Sequence, residues 1–240
     1  MISMTSNSTL RASSAPPMAS FAAASTLATD MAARKDRLSR LKARSPKPGE
    51  ATFFFYDAFF QNEAVKILPG EYFVFDEDII IMTTLGSCIA TCLWDRNARV
   101  GGMNLFMLPD NGGGASDSGR YGSFAMELLI NEMLKMGASR LTLEAKVFGG
   151  GAVIAGMSSI NVGERNTKFV MDYLKTERIP VVSKDVLEVY PRKVCFFPQS
   201  GKAMVKRLAP SNPDAIVAQE RIAAQKAAVP AASGGSIDLF

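Results

Sequence analysis

The chain has 240 residues, close to half of them apolar, with 27 Lys/Arg against 23 Asp/Glu and no histidine. That length suffices for one soluble globular domain with a sizeable core. The basic excess lies in residues 1–50, which hold 8 Lys/Arg and 3 Asp/Glu, so the near-neutral remainder excludes a nucleic-acid-binding face.

Residues 1–50 are rich in Ser, Ala and Thr, then basic, and close with Ser45-Pro46-Lys47-Pro48-Gly49. This composition predicts an arm with little fixed structure, with a short helix around Met31 to Ala43 as the alternative. No segment reads as a secretory signal. The longest uncharged run, Ile79 to Trp94, falls short of the roughly 20 residues that a spanning helix needs. A cytoplasmic protein with no membrane span is expected.

Strands are predicted at Thr52 to Tyr56, Ala64 to Leu68 and Glu71 to Phe75, with Pro69-Gly70 as a turn. Asp76-Glu77-Asp78 reads as a solvated turn, because a metal site needs more oxygen ligands. Ile79 to Met82 is continuous and β-branched, as expected of a strand buried on both faces. A turn over Thr83 to Cys88 leads into a strand at Ile89 to Trp94. After a polar hairpin loop the chain returns as Val100 to Leu108, where Gly101 and Gly102 predict a bulge or a close backbone approach. Pro109 to Gly119 reads as a loop. Gly112-Gly113-Gly114 lacks the Lys-Ser/Thr of a phosphate cradle, leaving a flap beside a site or an ordinary loop.

Ser123 to Met136 is the clearest helix, with Met126, Leu129, Ile130 and Met133 in one stripe and Gly137 as its stop. Arg140 to Phe148 alternates as a half-buried strand, with Leu141 on the inward face. Asn161 with Glu164 predicts the start of a second helix through about Lys175. Short strands follow at Ile179 to Val182, Val186 to Tyr190, Lys193 to Phe197 and Ala203 to Leu208. The Ala/Pro-rich stretch 209–240 reads as a disordered tail. The expected organisation is an arm (1–50), one domain (51–208) and a tail.

Cys88 is the most nucleophilic group at the Thr83-Thr84-Leu85-Gly86-Ser87-Cys88 turn, where Gly86 supplies backbone freedom. A bend between two buried strands can present one thiol, so Cys88 is the candidate nucleophile. Cys92 would lie about 13 Å from it along one strand, too far for a disulfide. Cys92 and Cys195 read as core residues. Without imidazole or a Cys-x-x-Cys pair, a metal site is not expected. Backbone N–H groups at Ser87-Cys88 are candidates for an oxyanion hole. Asn104 is a candidate to hydrogen-bond a substrate amide or to serve as a structural turn amide. Arg120 and Tyr121 border the flap and are candidates to contact a substrate helix. Arg165 and Asn166 read as anchors at a helix start.

Leu85-Gly86-Ser87-Cys88, Gly101-Gly102-Met103-Asn104, Met107-Leu108-Pro109, Arg120-Tyr121-Gly122, Ala145-Lys146-Val147-Phe148-Gly149-Gly150 and Gly163-Glu164-Arg165-Asn166 occur in that order. Together they resemble the chemoreceptor glutamine deamidases (CheD), over about residues 52–208. The resemblance implies an α+β fold: one domain of mixed, mainly antiparallel sheet layers with two main helices packed against them. It implies hydrolysis of glutamine side-chain amides on methyl-accepting chemotaxis receptors, without a cofactor. A chemotaxis phosphatase of the CheC type is the second partner it brings into view. By resemblance Cys88 is the nucleophile and Thr83 the residue that orients a histidine base, with Thr84 one position away. The family's histidine position is Leu105 here. Glu144 and Lys146 are substitute bases only if the fold brings them to Cys88.

Overall fold

The structure is a computed structural model that describes residues 36–108, 115–153 and 159–209, with isolated positions beyond; side chains of 115–120 and 159–161 lie outside the described set. Two compact units separate at Ala43/Arg44. In the first, residues 36–43 are helical (α1), within the stretch where the sequence allows a short helix. The second carries all the β-structure, and most of the predicted tail lies outside the described residues.

Among the described residues, ten strands form two five-stranded sheets. The first joins β1 (Phe53–Asp57), β2 (Asn62–Lys66), β4 (Ile80–Leu85), β9 (Arg192–Phe197) and β10 (Lys202–Arg207), in the order β1-β2-β4-β9-β10. The second joins β3 (Tyr72–Phe75), β5 (Ile89–Asp95), β6 (Val100–Phe106), β7 (Leu143–Gly149) and β8 (Val181–Val186), in the order β3-β6-β5-β7-β8. Only β2/β4 and β7/β8 pair parallel. Helices α2 (Ala115–Lys135) and α3 (Ser159–Thr176) pack on the second sheet, α2 on β3 and β6, α3 on β5 and β7. The fold is therefore α+β, mainly antiparallel, as the sequence implies.

The main core fills the space between the second sheet and the two helices. The α2 stripe of Met126, Leu129, Ile130 and Met133 is fully buried there against Ile89, Leu93 and Phe106. Each such side chain contributes about 1.5–3 kcal/mol by leaving water. The other face of the second sheet meets the first sheet: Phe54 of β1 packs edge-on to Phe73 of β3. Gly101 and Gly102 make the close approach, with no break in the β5/β6 register. A Cβ on Gly101 would meet the Pro198 backbone, and one on Gly102 would meet Val74 and Leu129.

Four local readings are corrected. Strand β4 continues through Thr83 and Thr84 to Leu85, because those residues pair with Val194 and Lys193; the bend is confined to 86–88. Helix α2 starts at Ala115, inside the predicted loop, since helix propensity is a weak prior that packing on a sheet overrides. Leu141 is 95% exposed, because β7 begins only at Leu143. Val186 to Tyr190 is not a strand: Leu187 and Glu188 adopt positive φ, and the Leu187 N–H bonds Gly149 O.

Candidate active site

The bend 86–88 joins a strand of the first sheet to the central strand of the second. Its three successive carbonyls are all held. Gly86 O accepts from the Gly151 N–H at 2.8 Å, and Cys88 O from the Gly150 N–H at 2.8 Å. Ser87 O accepts from Asn166 Nδ2 at 2.9 Å. With three peptide planes fixed, the direction of the Cys88 side chain is fixed too. This backbone-on-backbone packing requires glycine. Gly149 has φ +110°, and a Cβ on it would run into Cys88 O; Gly150 has φ +66°, and a Cβ on it would strike the Thr167 hydroxyl.

Cys88 is 2% exposed, and none of the three cysteines forms a disulfide. Burial pushes the thiols of Cys92 and Cys195 up, in Cys195 with the nearby Lys193 ammonium opposing. Both are poor nucleophiles near neutral pH.

Leu105 sits on β6 opposite Ala90, two residues beyond Cys88, and is 1% exposed. Its N–H donates to Glu71 O and its carbonyl accepts from the Gly70 N–H, so its backbone is part of the sheet margin. Thr83 is buried on β4, and its hydroxyl donates to Ile67 O at 3.0 Å. Strands β4 and β6 belong to different sheets but touch, so Thr83 and Leu105 come from facing layers.

Asn104 is buried with both ends of its amide engaged. Its Oδ1 accepts from the Thr91 N–H at 3.2 Å and its Nδ2 donates to Ala125 O at 2.9 Å, tying β6 to β5 and α2. A small cleft of about 70 Å³ is lined by Gly70, Tyr72, Asn104, Leu105, Tyr121 and Phe124 among others. Tyr121 is half-buried in this wall; burial raises its phenol pKa, and the negative charge available at Cys88 raises it further. Cys88 itself is not among the residues that line the cleft. Arg120 belongs to α2, but its side chain lies outside the described residues, as do the Pro109 to Gly114 positions of the predicted flap.

The two substitute bases are not brought to Cys88. In the β5/β7 register Lys146 stands opposite Cys92 and Glu144 opposite Trp94, whereas the Cys88 end of β5 meets Gly149. Lys146 Nζ donates to Gly201 O at 2.6 Å, and Glu144 pairs with Arg96.

Asn166 does more than anchor a helix start. It is fully buried, and its Oδ1 also accepts from the Leu108 N–H at 2.9 Å. The available signal was a polar residue on the inward stripe of α3, in step with Gly163, Val170 and Leu174.

A family model described as "CheD chemotactic sensory transduction" matches residues 107–207. The chain is 62% identical over 204 residues to the probable chemoreceptor glutamine deamidase CheD 1 of Albidiferax ferrireducens, covering 85% of this chain and 87% of that one. It is 52% identical to the probable chemoreceptor glutamine deamidase CheD of a Janthinobacterium species, over 79% of this chain and 95% of that one. It is 55% identical to the protein of the same description, numbered 1, from Dechloromonas aromatica, over 71% and 86% of the two chains.

Proposed function

The chain belongs to the CheD family, and from that premise we propose that it acts on glutamine side chains of chemotaxis receptors, with Cys88 as the nucleophile. In the reaction the Cys88 thiolate attacks the carboxamide carbon, ammonia leaves, and a thioester forms between sulfur and the former glutamine. Water cleaves the thioester to glutamate and regenerates the thiol. The observation that carries this reading is the bend itself: three pinned carbonyls fix the backbone that carries the Cys88 thiol.

The base is the weak link. A free thiol is only a few per cent ionised near neutral pH. A paired imidazole would withdraw the proton, pass it to the departing ammonia and then activate water. Leu105 does none of this, and no histidine exists elsewhere in the chain. Losing the base of such a unit costs on the order of 10⁴- to 10⁶-fold in rate. Uncorrected, this sequence therefore turns over slowly. Thr83 commits its proton to Ile67 O, which leaves its oxygen able to accept a hydrogen bond from a base. An imidazole in that role would donate one N–H to Thr83 and keep the other nitrogen for the thiol.

Leu105 also favours a second reading, a receptor-binding adaptor that keeps the deamidase fold without turnover. In both readings the protein works in the cytoplasm on receptor cytoplasmic domains, where a CheC-type phosphatase would be the regulatory partner.

Mass spectrometry of receptor cytoplasmic domains incubated with the protein, with Cys88→Ala and with Leu105→His decides between them. A slow Gln-to-Glu mass increase, lost in Cys88→Ala and accelerated in Leu105→His, is expected. Binding with no mass increase except in Leu105→His would establish the adaptor. No binding and no increase in any variant would overturn both.

A further inference from the structure

Outside the chemistry of Cys88 itself, one side chain touches the nucleophile's bend and the adjoining end of the neighbouring strand together. Asn166 of α3 donates through Nδ2 to Ser87 O at 2.9 Å and accepts through Oδ1 from the Leu108 N–H at 2.9 Å. Ser87 and Leu108 both stand at the open end of the β5/β6 hairpin: one precedes β5, the other follows β6. The preceding residue, Arg165, adds a long contact from Nη2 to Leu108 O at 3.4 Å. Residues 165 and 166 therefore hold both backbone polar groups of Leu108.

We propose that Asn166 is the positioning residue of the Cys88 site: its side-chain amide bridges the nucleophile's bend to the end of the strand that carries position 105, fixing their spacing. This rests on the reading of Cys88 as the nucleophile. The β5/β6 ladder sets the register from Ile89 with Phe106 to Asp95 with Val100, including Ala90 with Leu105. Residues 86–88 precede the first of those pairs. Gly150 and Gly151 hold the bend to β7, the opposite neighbour of β5. Asn166 spans from the bend to the β6 side. An amide suits the task because it offers one donor and one acceptor in a single plane. A carboxylate of the same size would turn a lone pair toward the Ser87 carbonyl, and an aliphatic side chain would leave both backbone groups without a buried partner.

The test reads sulfur geometry and not turnover, so it stands or falls separately from deamidation. Iodoacetamide labelling of the full-length protein, followed by peptide mass spectrometry, gives the Cys88 rate with Cys195 as a reference inside the same molecule. Asn166→Ala is expected to raise the Cys88-to-Cys195 rate ratio by at least about tenfold, as the bend comes loose from β6. The same-size Asn166→Asp is expected to do so above the pKa of the new carboxyl and less below it. Val170→Ala, on the same helix and equally buried but away from the bend, is expected to leave the ratio within about twofold. A ratio unchanged in both Asn166 variants, or moved as far by Val170→Ala, overturns the proposal. So does failure of both Asn166 variants to fold, which would make the residue a general structural one.

Discussion

The two ends of β5 bury polar groups for opposite purposes. At its end, Asp95 is 1% exposed, and its carboxylate accepts from the N–H groups of Asn97, Ala98 and Ser139 and from the Thr142 hydroxyl. Burial alone would raise its pKa, but those donors outweigh it and hold the carboxyl below its usual value. At its start, Cys88 closes a bend whose backbone is pinned by neighbours, and on β6 Leu105 stands opposite Ala90, two residues further on. Both ends are ordered. One surrounds its charged group with donors, which makes it a structural anchor. The other pins the backbone that carries a thiol, and Leu105 on the neighbouring strand is no proton acceptor.

The largest way to break this comparison is to supply the missing group. Leu105→His is expected to raise the rate of receptor glutamine hydrolysis by about 10⁴-fold or more, equivalent to at least about 5 kcal/mol of barrier. In the same variant, Cys88 alkylation at pH 6.5 should quicken well beyond that of Cys195. An unchanged alkylation profile would show that position 105 does not reach the thiol.

Next in size is the backbone packing. Gly149→Ala would force a Cβ into the Cys88 carbonyl at a positive φ, so a loss of about 3 kcal/mol or more is expected, read as a fall in the urea midpoint. A small change would mean that the bend relaxes easily, and the rigidity assigned to it would be wrong.

At the opposite end, Asp95→Asn should cost about 2 kcal/mol at pH 7, because an amide cannot accept all the donors a carboxylate accepts. Asp95 is depressed in the folded state relative to an unfolded value near 3.9. Its stabilisation is therefore complete above about pH 4 and is lost as pH falls through the lower, folded pKa. The stability gap between the two proteins should hold from pH 7 to 5 and narrow in more acidic buffer. A gap that widens on acidification contradicts the assignment.

The smallest effect is expected at the Arg96–Glu144 pair beside that end, where Arg96 is largely exposed. Arg96→Ala should change stability by less than about 0.5 kcal/mol, and less still at high salt. A loss above 1 kcal/mol would mean that the pair belongs to the buried network around Asp95.

Much of this was legible in the residues. Ile79 to Met82 and Ile89 to Trp94 are too continuously apolar to be anything but buried strands, and the α2 stripe repeats at helical spacing. Position 105 could be read as lacking a base because leucine has no titratable proton in any environment. Leu141 was misread because alternation does not say where a strand begins. Leu187 and Glu188 were misread because a positive φ leaves no trace in hydrophobic pattern.

The amino-acid order by itself determined the two kinds of element, the glycines that permit close approach, the thiol and the absence of any imidazole; these are local properties of residue type and period. Only the tertiary structure decided that Lys146 faces Cys92 while Gly149 faces the Cys88 end, and that Asn166 reaches Ser87 across 79 residues of chain. The physical reason is that strand register and helix docking are set by how whole faces pack together, and a one-residue slip would exchange every such neighbour without altering any local pattern.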